Sequence, residues 1–382
     1  VRETRLFKLL DRWLGIPLVF LGGLWSRFFG VFVGGQADLG AGQRVLVLKL
    51  SALGDTLLLL PCLKALKEAV GPQGRVEFLC TGVNEAALEG VPWVDAVHRL
   101  SPSDLLLRPL KAWRLIRSLR ARHFQLALDM DQWLRITPLL SLACATQRRA
   151  GFRSSGEHRH YLYHASVRQS RDAHESKQFA ALLKKAGCKV VVEDYAGFVA
   201  RHGLFGTQAW RKPKGARVLM HAGCGGKGWQ REWPEERWAA LARSLDAEGY
   251  EVRLSGAGAR EAAMNERIAQ LSGGAAAPLA MGRRLGDLAQ ALLGSRLLVS
   301  GNTGVMHLAA GLGVPLLALH GPTDPVKWGP QAPKGRAQVL RANLGCSPCL
   351  MLGFEYGCKE RPCMEAIPLK QVQRACENAL KI

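Results

Sequence analysis

The segment "RVLVLKLSALGDTLLLLPCLKALK" (44–67) sets a nearly continuous apolar run directly before a helical one, and the same arrangement returns later in the chain. A run such as "RVLVLKL" (44–50), rich in Leu and β-branched residues, reads as a strand buried on both faces, as strands of parallel sheets are. The helical stretch after it runs from Thr56 to about Val70, and "RVEFLC" (75–80) and "FQLALDM" (124–130) read as further strands. The pattern restarts after the Pro/Gly/Lys stretch "RKPKGA" (211–216). There "RVLMHAG" and "YEVRLSGAG" are strands flanking the helix "PEERWAALARSLDAEG", with Pro234 in its first turn. "RLLVSG" then leads into the helix "NTGVMHLAAGLG" and the strand "VPLLALHG". Strand–helix alternation twice over predicts an α/β chain of two doubly wound, Rossmann-like domains. The length of 382 residues, about twice that of a usual domain, agrees. Ligands of such sheets bind at the carboxyl ends of strands, where "SALGD" and "SGNTG" both fall, so the expected site is a central cleft faced by both domains.

With 48% hydrophobic and 22% charged residues the chain can bury sizeable cores and is not of disordered composition. Its net charge is +21, unevenly spread: from Arg99 to Arg171 there are 14 Lys and Arg against 4 Asp and Glu. That bias calls for an anionic partner such as nucleic acid, phospholipid or a phosphorylated substrate. No RNA-binding signature and no basic stripe interleaved with aromatics occurs, so nucleic acid is not expected. Ala112, Leu115, Ile116 and Leu119 form one apolar helix face, with Lys111, Arg114, Arg117 and Arg122 roughly opposite. Those charges are either a solvated face or an acceptor-binding one.

The first 43 residues read as an amphipathic and apolar extension. Leu6, Leu9, Leu10 and Trp13 fall at helical spacing, followed by "LGIPLVFLGGLWSRFFGVFVGG". Pro17, paired glycines and Arg27 interrupt that stretch, and no small-residue cleavage site stands out. An in-plane membrane anchor is favoured over a span, because an apolar face and positive charge supply the two signals that stable peripheral binding needs. A helix packed on the domain is the remaining alternative.

Three segments carry chemistry. In "SGNTGVMHLAAG" (300–311) small and polar residues open a helix after a strand, where exposed backbone N–H groups and a dipole of roughly half a positive charge favour a phosphate. Thr303 adds a hydroxyl, Gly304 allows close backbone approach, and His307 lies one turn in on the same face. "HAGCGGKGWQREWP" (221–234) is a second Gly-rich loop before a helix, and not a Walker A motif, since Lys227 is followed by Gly228. Arg231 there can clamp a diphosphate bidentately, or be a surface charge. Asp55, between strand and helix, is either a helix cap or a catalytic carboxylate.

"VLVLKLSALGDTLLLLPCLKALK", "GCGGKGWQREWPEERWAALARSL" and "VSGNTGVMHLAAGLGVPLLALHGPTDPVKWGP" resemble, in order and context, segments of the heptosyltransferases, which transfer heptose from ADP-heptose to lipopolysaccharide core. The resemblance covers about residues 44 to 340. It implies the two-Rossmann GT-B fold, inversion at the anomeric carbon and no cofactor for catalysis. It also implies a base at Asp55, a donor-phosphate contact at Arg231, and donor sugar and diphosphate contacts at Asn302, Thr303, Gly304 and His307. Glu261 of "SGAGARE" is the candidate for the donor ribose. The family usually has Asp where this chain has Asn302, an amide that loses the charge and gains two donors, which bears on the donor sugar. Many relatives have Lys in place of Arg231. The expected organisation is 1–43 as a membrane-associating extension and 44–210 as the acceptor-side domain. Residues 211–345 are then the nucleotide-sugar donor domain and 346–382 a Cys-bearing tail and helix. The expected partners are ADP-heptose, an anionic lipid-linked saccharide acceptor and a membrane surface, at the cytoplasmic face of a bacterial inner membrane. The rivals are a relative with another donor or acceptor, a sugar-nucleotide epimerase of similar fold, and a non-catalytic sugar-nucleotide binder.

"DMD" (129–131) mimics a manganese-binding Asp-x-Asp but follows a strand of the acceptor-side domain, so no metal is expected there. "EHRHYLYH" (157–164) has His158, His160 and His164 at a spacing that could fit a metal, but reads as a basic surface loop. Ten cysteines without an export signal suggest a reducing compartment, and Cys62, Cys80, Cys144, Cys188, Cys224 and Cys376 are scattered as small hydrophobes are. Cys346, Cys349, Cys358 and Cys363 instead give C-x2-C-x8-C-x4-C, near the spacing of a structural zinc site. Zinc, disulfides and free thiols all fit that spacing.

Overall fold

The structure, a computed structural model, describes residues 11, 13–28, 39–144, 146–225, 228–282, 284–350 and 358–381. Contacts divide the chain into two units, Val1–Glu193 and Asp194–Ile382.

In the first unit β1 (Arg44–Leu48), β2 (Arg75–Cys80), β3 (Ala96–Arg99), β4 (Leu126–Asp129), β5 (Arg148–Arg153) and β6 (Ala165–Arg168) form one sheet in the order β3-β2-β1-β4-β5-β6. Every neighbouring pair is parallel. In the second, β7 (Arg217–His221), β8 (Glu251–Leu254), β9 (Ala276–Pro278), β10 (Leu297–Gly301), β11 (Leu316–Leu319) and β12 (Ala337–Leu340) repeat the plan as β12-β11-β10-β7-β8-β9, again parallel. All four residues of β4 and all five of β10 are buried, which is why these runs are apolar without alternation. The strand order reverses between β1 and β4 in one unit and between β7 and β10 in the other. A doubly wound sheet opens a crevice at its carboxyl edge at that point.

The apolar N-terminal stretch forms helix α1 (Gly15–Phe28) on the first unit. One face packs closely: a Cβ on Gly22 would stand 3.0 Å from Leu142, and one on Gly23 would stand 3.1 Å from the carbonyl of Tyr161. Leu18, Leu21, Leu24, Trp25 and Phe28 on the rest of the helix are exposed. Ahead of it, Asp11 accepts from the backbone N–H groups of Arg135 and Ile136 and pairs with the Arg135 guanidinium at 3.2 Å. The stretch is thus a helix packed on the first unit by one face, with apolar side chains exposed on the rest. No helix among the described residues is long and apolar enough to cross a membrane. The helical spacing of Leu6, Leu9 and Leu10 and the apolar residues 29–38 lie outside the described residues.

The remaining long helices are α2 (Leu53–Val70), α3 (Pro109–Arg120), α4 (Ile136–Ala143), α5 (Glu175–Lys185), α6 (Glu235–Ala247), α7 (Gly258–Leu271), α8 (Leu285–Leu293), α9 (Gly304–Leu312) and α10 (Leu369–Leu380), of which α2, α3, α6, α9 and α10 fall where the sequence places helices. The six scattered cysteines are all buried, as small hydrophobes are. α10 closes the second core, its Val372, Ala375, Cys376 and Leu380 joining the cluster around Trp233 and Trp238, whose rings meet edge to face at 5.3 Å. Residues 194–210, grouped with the first domain on sequence, pack on the second unit. Tyr195 and Phe198 are buried there, the Tyr195 hydroxyl donates to the His307 carbonyl at 3.0 Å, and the Trp210 indole donates to that of Ser295. Gly311 makes room for this strap, since a Cβ there would stand 2.6 Å from Val199 and 2.8 Å from the Tyr195 hydroxyl.

Candidate active site

In the first unit the residues after β1 and β4 converge on Asp55. The N-cap of α2 is Ala52, at φ 66 and ψ 115, with no side chain capping the helix, and Asp55 follows in the first turn. Ala52 is thus held in a region that a Cβ disfavours, a cost of order 1–3 kcal/mol that concentrates at functional turns. The Lys49 ammonium lies 3.2 Å from the Asp55 carboxylate and 3.6 Å from that of Asp131. Lys49 and Asp131 are buried, whereas the Asp55 side chain keeps 14% of its surface open to solvent. Asp131 also accepts from the Leu50 N–H and the Ser51 hydroxyl, tying the "SALGD" loop to the end of β4. Asn84 fastens it from a third side, donating to the Lys49 carbonyl and the Thr56 hydroxyl. The result is a partly open carboxylate beside a fixed cation, on a loop locked by a second carboxylate.

That second carboxylate belongs to "DMD", and the motif is a structural network. Asp129 accepts from Arg159 at 2.7 Å, from Thr137 at 2.6 Å and from the Tyr163 hydroxyl at 2.5 Å, and its other oxygen accepts from the Asp131 N–H. Arg159, part of the segment read as a basic surface loop, is fully buried in a 3-10 turn (Arg159–Leu162). Arg159 is inside rather than on the surface because a guanidinium with five donors can satisfy the sealed Asp129 carboxylate.

In the second unit the loop after β7 and the start of α9 meet at the other strand-order reversal. Arg231 donates to the carbonyls of Cys224, at 2.9 Å, and Asn302, at 3.3 Å, so one guanidinium bridges the loops after β7 and β10. Its Nε is buried and has no hydrogen-bond partner among the described residues. The Gly-rich loop is pinned by two carboxylates. Glu232 accepts from the Cys224 N–H and is gripped bidentately by Arg260 at 2.7 and 2.6 Å. Glu261 accepts from the N–H groups of Gly225 and Ala257. Thr303 caps α9 by accepting from the Met306 N–H, Gly304 opens the helix, and His307 is buried in its first turn. Sequence reasoning missed Lys49, Glu232 and Arg260 and weighed Asp131 only as half of a metal-binding mimic, because their partners, such as Asp131 for Lys49 and Arg260 for Glu232, lie roughly 30 to 80 residues away and meet only in the folded sheets.

Asn302 has a local reason to be an amide. It donates to the Trp328 carbonyl at 2.8 Å and stands 3.4 Å from the His320 ring. An aspartate there would turn a carboxylate onto a carbonyl oxygen in a buried site, at a cost of order 1–3 kcal/mol unless it took up a proton. His320 is itself fully buried, which pushes its imidazole down to about 4 despite hydrogen bonding near Thr323. A folded value below the unfolded one means the native state binds fewer protons. Stability from this group is therefore intact above about pH 6.5 and is lost as pH falls toward 4. The full loss is about 3 kcal/mol. Denaturant midpoints measured from pH 7 down to 4.5 should fall less steeply in His320→Gln than in the parent; parallel curves would refute the assignment.

Of the four tail cysteines, Cys346 and Cys358 are exposed, Cys349 is half-buried and Cys363 is buried. All four line one small cavity, together with Gln230, Ser347 and Glu360. Among the described residues no three His, Cys, Asp or Glu side chains stand arranged to hold a metal ion as they are.

These arrangements can be set beside known proteins. The family described as glycosyltransferase family 9 (heptosyltransferase) matches residues 112–360. Lipopolysaccharide heptosyltransferase 1 of Pseudomonas aeruginosa is 30% identical over 355 residues, covering 88% of this chain and 94% of the relative. The solved structure of Escherichia coli heptosyltransferase WaaC with ADP superposes with a TM-score of 0.67 at 21% identity, over 88% of this chain and all of that one. The same enzyme with ADP-2-deoxy-2-fluoro heptose gives a TM-score of 0.67, with 88% and 99% covered.

Proposed function

The chain belongs to glycosyltransferase family 9, the heptosyltransferases, and from that premise we propose that it moves heptose from ADP-heptose onto a lipid-linked saccharide such as lipopolysaccharide core. In this reading the acceptor hydroxyl gives its proton to the Asp55 carboxylate as its oxygen forms the new bond to the anomeric carbon. The bond from that carbon to the diphosphate breaks on the opposite side, with inversion, and ADP leaves with the electron pair. Arg231 and the N–H groups at the start of α9, near Thr303 and Gly304, receive the growing negative charge. Asn302 and His307 border the donor sugar and Glu261 the ribose side. No step of this scheme uses a metal.

The observation that carries the donor half is Arg231, whose buried Nε lacks a hydrogen-bond partner where the two loops of the second unit meet. A buried donor left unmet is costly, and a diphosphate oxygen satisfies it with a charge-assisted bond. A thermal-shift titration tests this. At 100 times its dissociation constant ADP-heptose should add about 2.7 kcal/mol of stability. Arg231→Ala should weaken binding by about 1.5–3 kcal/mol, or roughly 10- to 100-fold. Stabilisation by UDP- or GDP-sugars and not by ADP-heptose would reject the donor.

A membrane surface at the cytoplasmic side completes the proposal. Support comes from the exposed Leu18, Leu21, Leu24, Trp25 and Phe28 of α1, and from Leu110 and Trp113 exposed on α3 among Arg108, Lys111 and Arg117. Apolar side chains and cations together give the two-signal binding that a peripheral enzyme needs. Pelleting with vesicles should rise steeply with anionic lipid and fall for Trp25→Ser; indifference to both would remove the membrane from the reading.

A further inference from the structure

We propose that Cys346, Cys349, Cys358 and Cys363 bind one thiolate-seeking divalent ion, Zn2+ or Fe2+, and that this ion fastens the tail to the segment carrying Arg231. Three independent observations meet here. The first is the spacing, C-x2-C and C-x4-C pairs separated by eight residues. The second is convergence: all four line a single cavity, whereas the other six cysteines are dispersed and buried. The third is how the two pairs are held. The Cys349 N–H donates to the Pro322 carbonyl and the neighbouring Ser347 hydroxyl to that of Gly321, which fixes the first pair on the loop after β11. Cys363 sits in the short helix Pro362–Glu365 over the same Gly321, where a Cβ would come within 3.0 Å of its sulfur. The first pair is thus fixed through Cys349 and Ser347, and the second through Cys363, on one cavity that all four cysteines line.

Four thiols suit a tetrahedral site for zinc or ferrous iron and no harder cation. Binding exchanges four S–H protons for four metal–sulfur bonds, with release of the protons and no change of oxidation state. Gln230, the residue before Arg231, lines the same cavity. Arg361 donates to the Glu232 carbonyl at 3.3 Å, and Arg237 and the Trp233 indole donate to that of Ile367. The tail is therefore braced against both sides of Arg231. The consequence for donor affinity rests on the reading of Arg231 above; the site itself does not.

Elemental analysis of the full chain, purified without chelator from cells supplied with zinc and iron, should find about one ion per chain and says which metal it is. A mercurial titration monitored with a metal dye should release it. Cys349→Ser and Cys363→Ser should lose it, while Cys144→Ala retains it. Metal below a tenth of an equivalent in the unmodified chain would overturn the proposal, as would disulfides among these four in the intact mass, or metal retained in both serine variants. Metal content reads the site whatever the donor proves to be, and nucleotide affinity of the stripped chain reads the brace. A full ion with unaltered affinity on stripping would overturn the brace.

Discussion

Asp55→Asn is expected to lower turnover by about 10²–10⁴-fold while leaving affinity for the nucleotide-sugar donor unchanged. The alternative, a carboxylate serving only its helix, predicts a loss of about 1 kcal/mol in stability and little in rate, since Asn caps as well as Asp. Geometry separates the two. The cap position belongs to Ala52, and Asp55 lies in the first turn with its carboxylate 3.2 Å from the Lys49 ammonium and partly open to solvent. The Lys49 ammonium holds the Asp55 carboxylate in place and is itself shared with Asp131, 3.6 Å away. Asn keeps the shape and removes the proton acceptor. Measured kcat with acceptor, beside donor affinity by calorimetry, decides: turnover within a few-fold of the parent would reduce Asp55 to an ion partner of Lys49. A fall in donor affinity of the same size as the fall in kcat would place its effect on binding.

The strands β1, β2, β4, β7, β8, β10 and β11 were legible because burial on both faces writes itself as unbroken apolar runs, as in "RVLVLKL" and "RLLVSG", whereas polar, Gly or partly exposed positions break up β3, β5, β6, β9 and β12. Asp55 and Thr303 draw notice in the sequence because each is a polar residue at the carboxyl end of such a run. What was illegible depends on sheet order. Lys49 reads as an odd charge in a strand until β4 brings Asp131 beside it, 82 residues on. Glu232 and Arg260 look like surface residues until the loop after β7 folds against α7. Residues 194–210 fell within the expected first domain, and the room left by Gly311 shows why Tyr195 packs on the second unit. Asn302 resembled a lost charge. The Trp328 carbonyl facing it, beside an imidazole kept neutral by burial, explains an amide without any appeal to the ligand.

The same network makes the second large prediction one of stability. Arg159→Met should destabilise the first unit by about 3–5 kcal/mol, because it leaves Asp129 as a sealed carboxylate with no guanidinium. At roughly 2–4 °C per kcal/mol for a unit of this size, the melting temperature should fall by roughly 10 °C. The deficit should depend on pH in a defined direction. Burial drives Asp129 up, and Arg159 is what opposes it in the parent chain. The folded-state value already lies above the unfolded one in the parent and rises further without that cation, so the native state holds a proton that the unfolded chain releases. The variant's deficit is then largest at high pH and shrinks as pH falls through the raised value. Asp129→Asn in the same chain should recover part of the loss at pH 8, since an amide needs no countercharge. A deficit below 1 kcal/mol, or one indifferent to pH, would show that Arg159 fills space rather than balancing charge. Because Asp129 accepts from the Asp131 N–H, and Asp131 holds Ser51 and Lys49, the variant that survives folding should also lose kcat. The double variant, which restores neutrality without the guanidinium's bonds to Asp131 and Thr137, should regain stability before it regains rate.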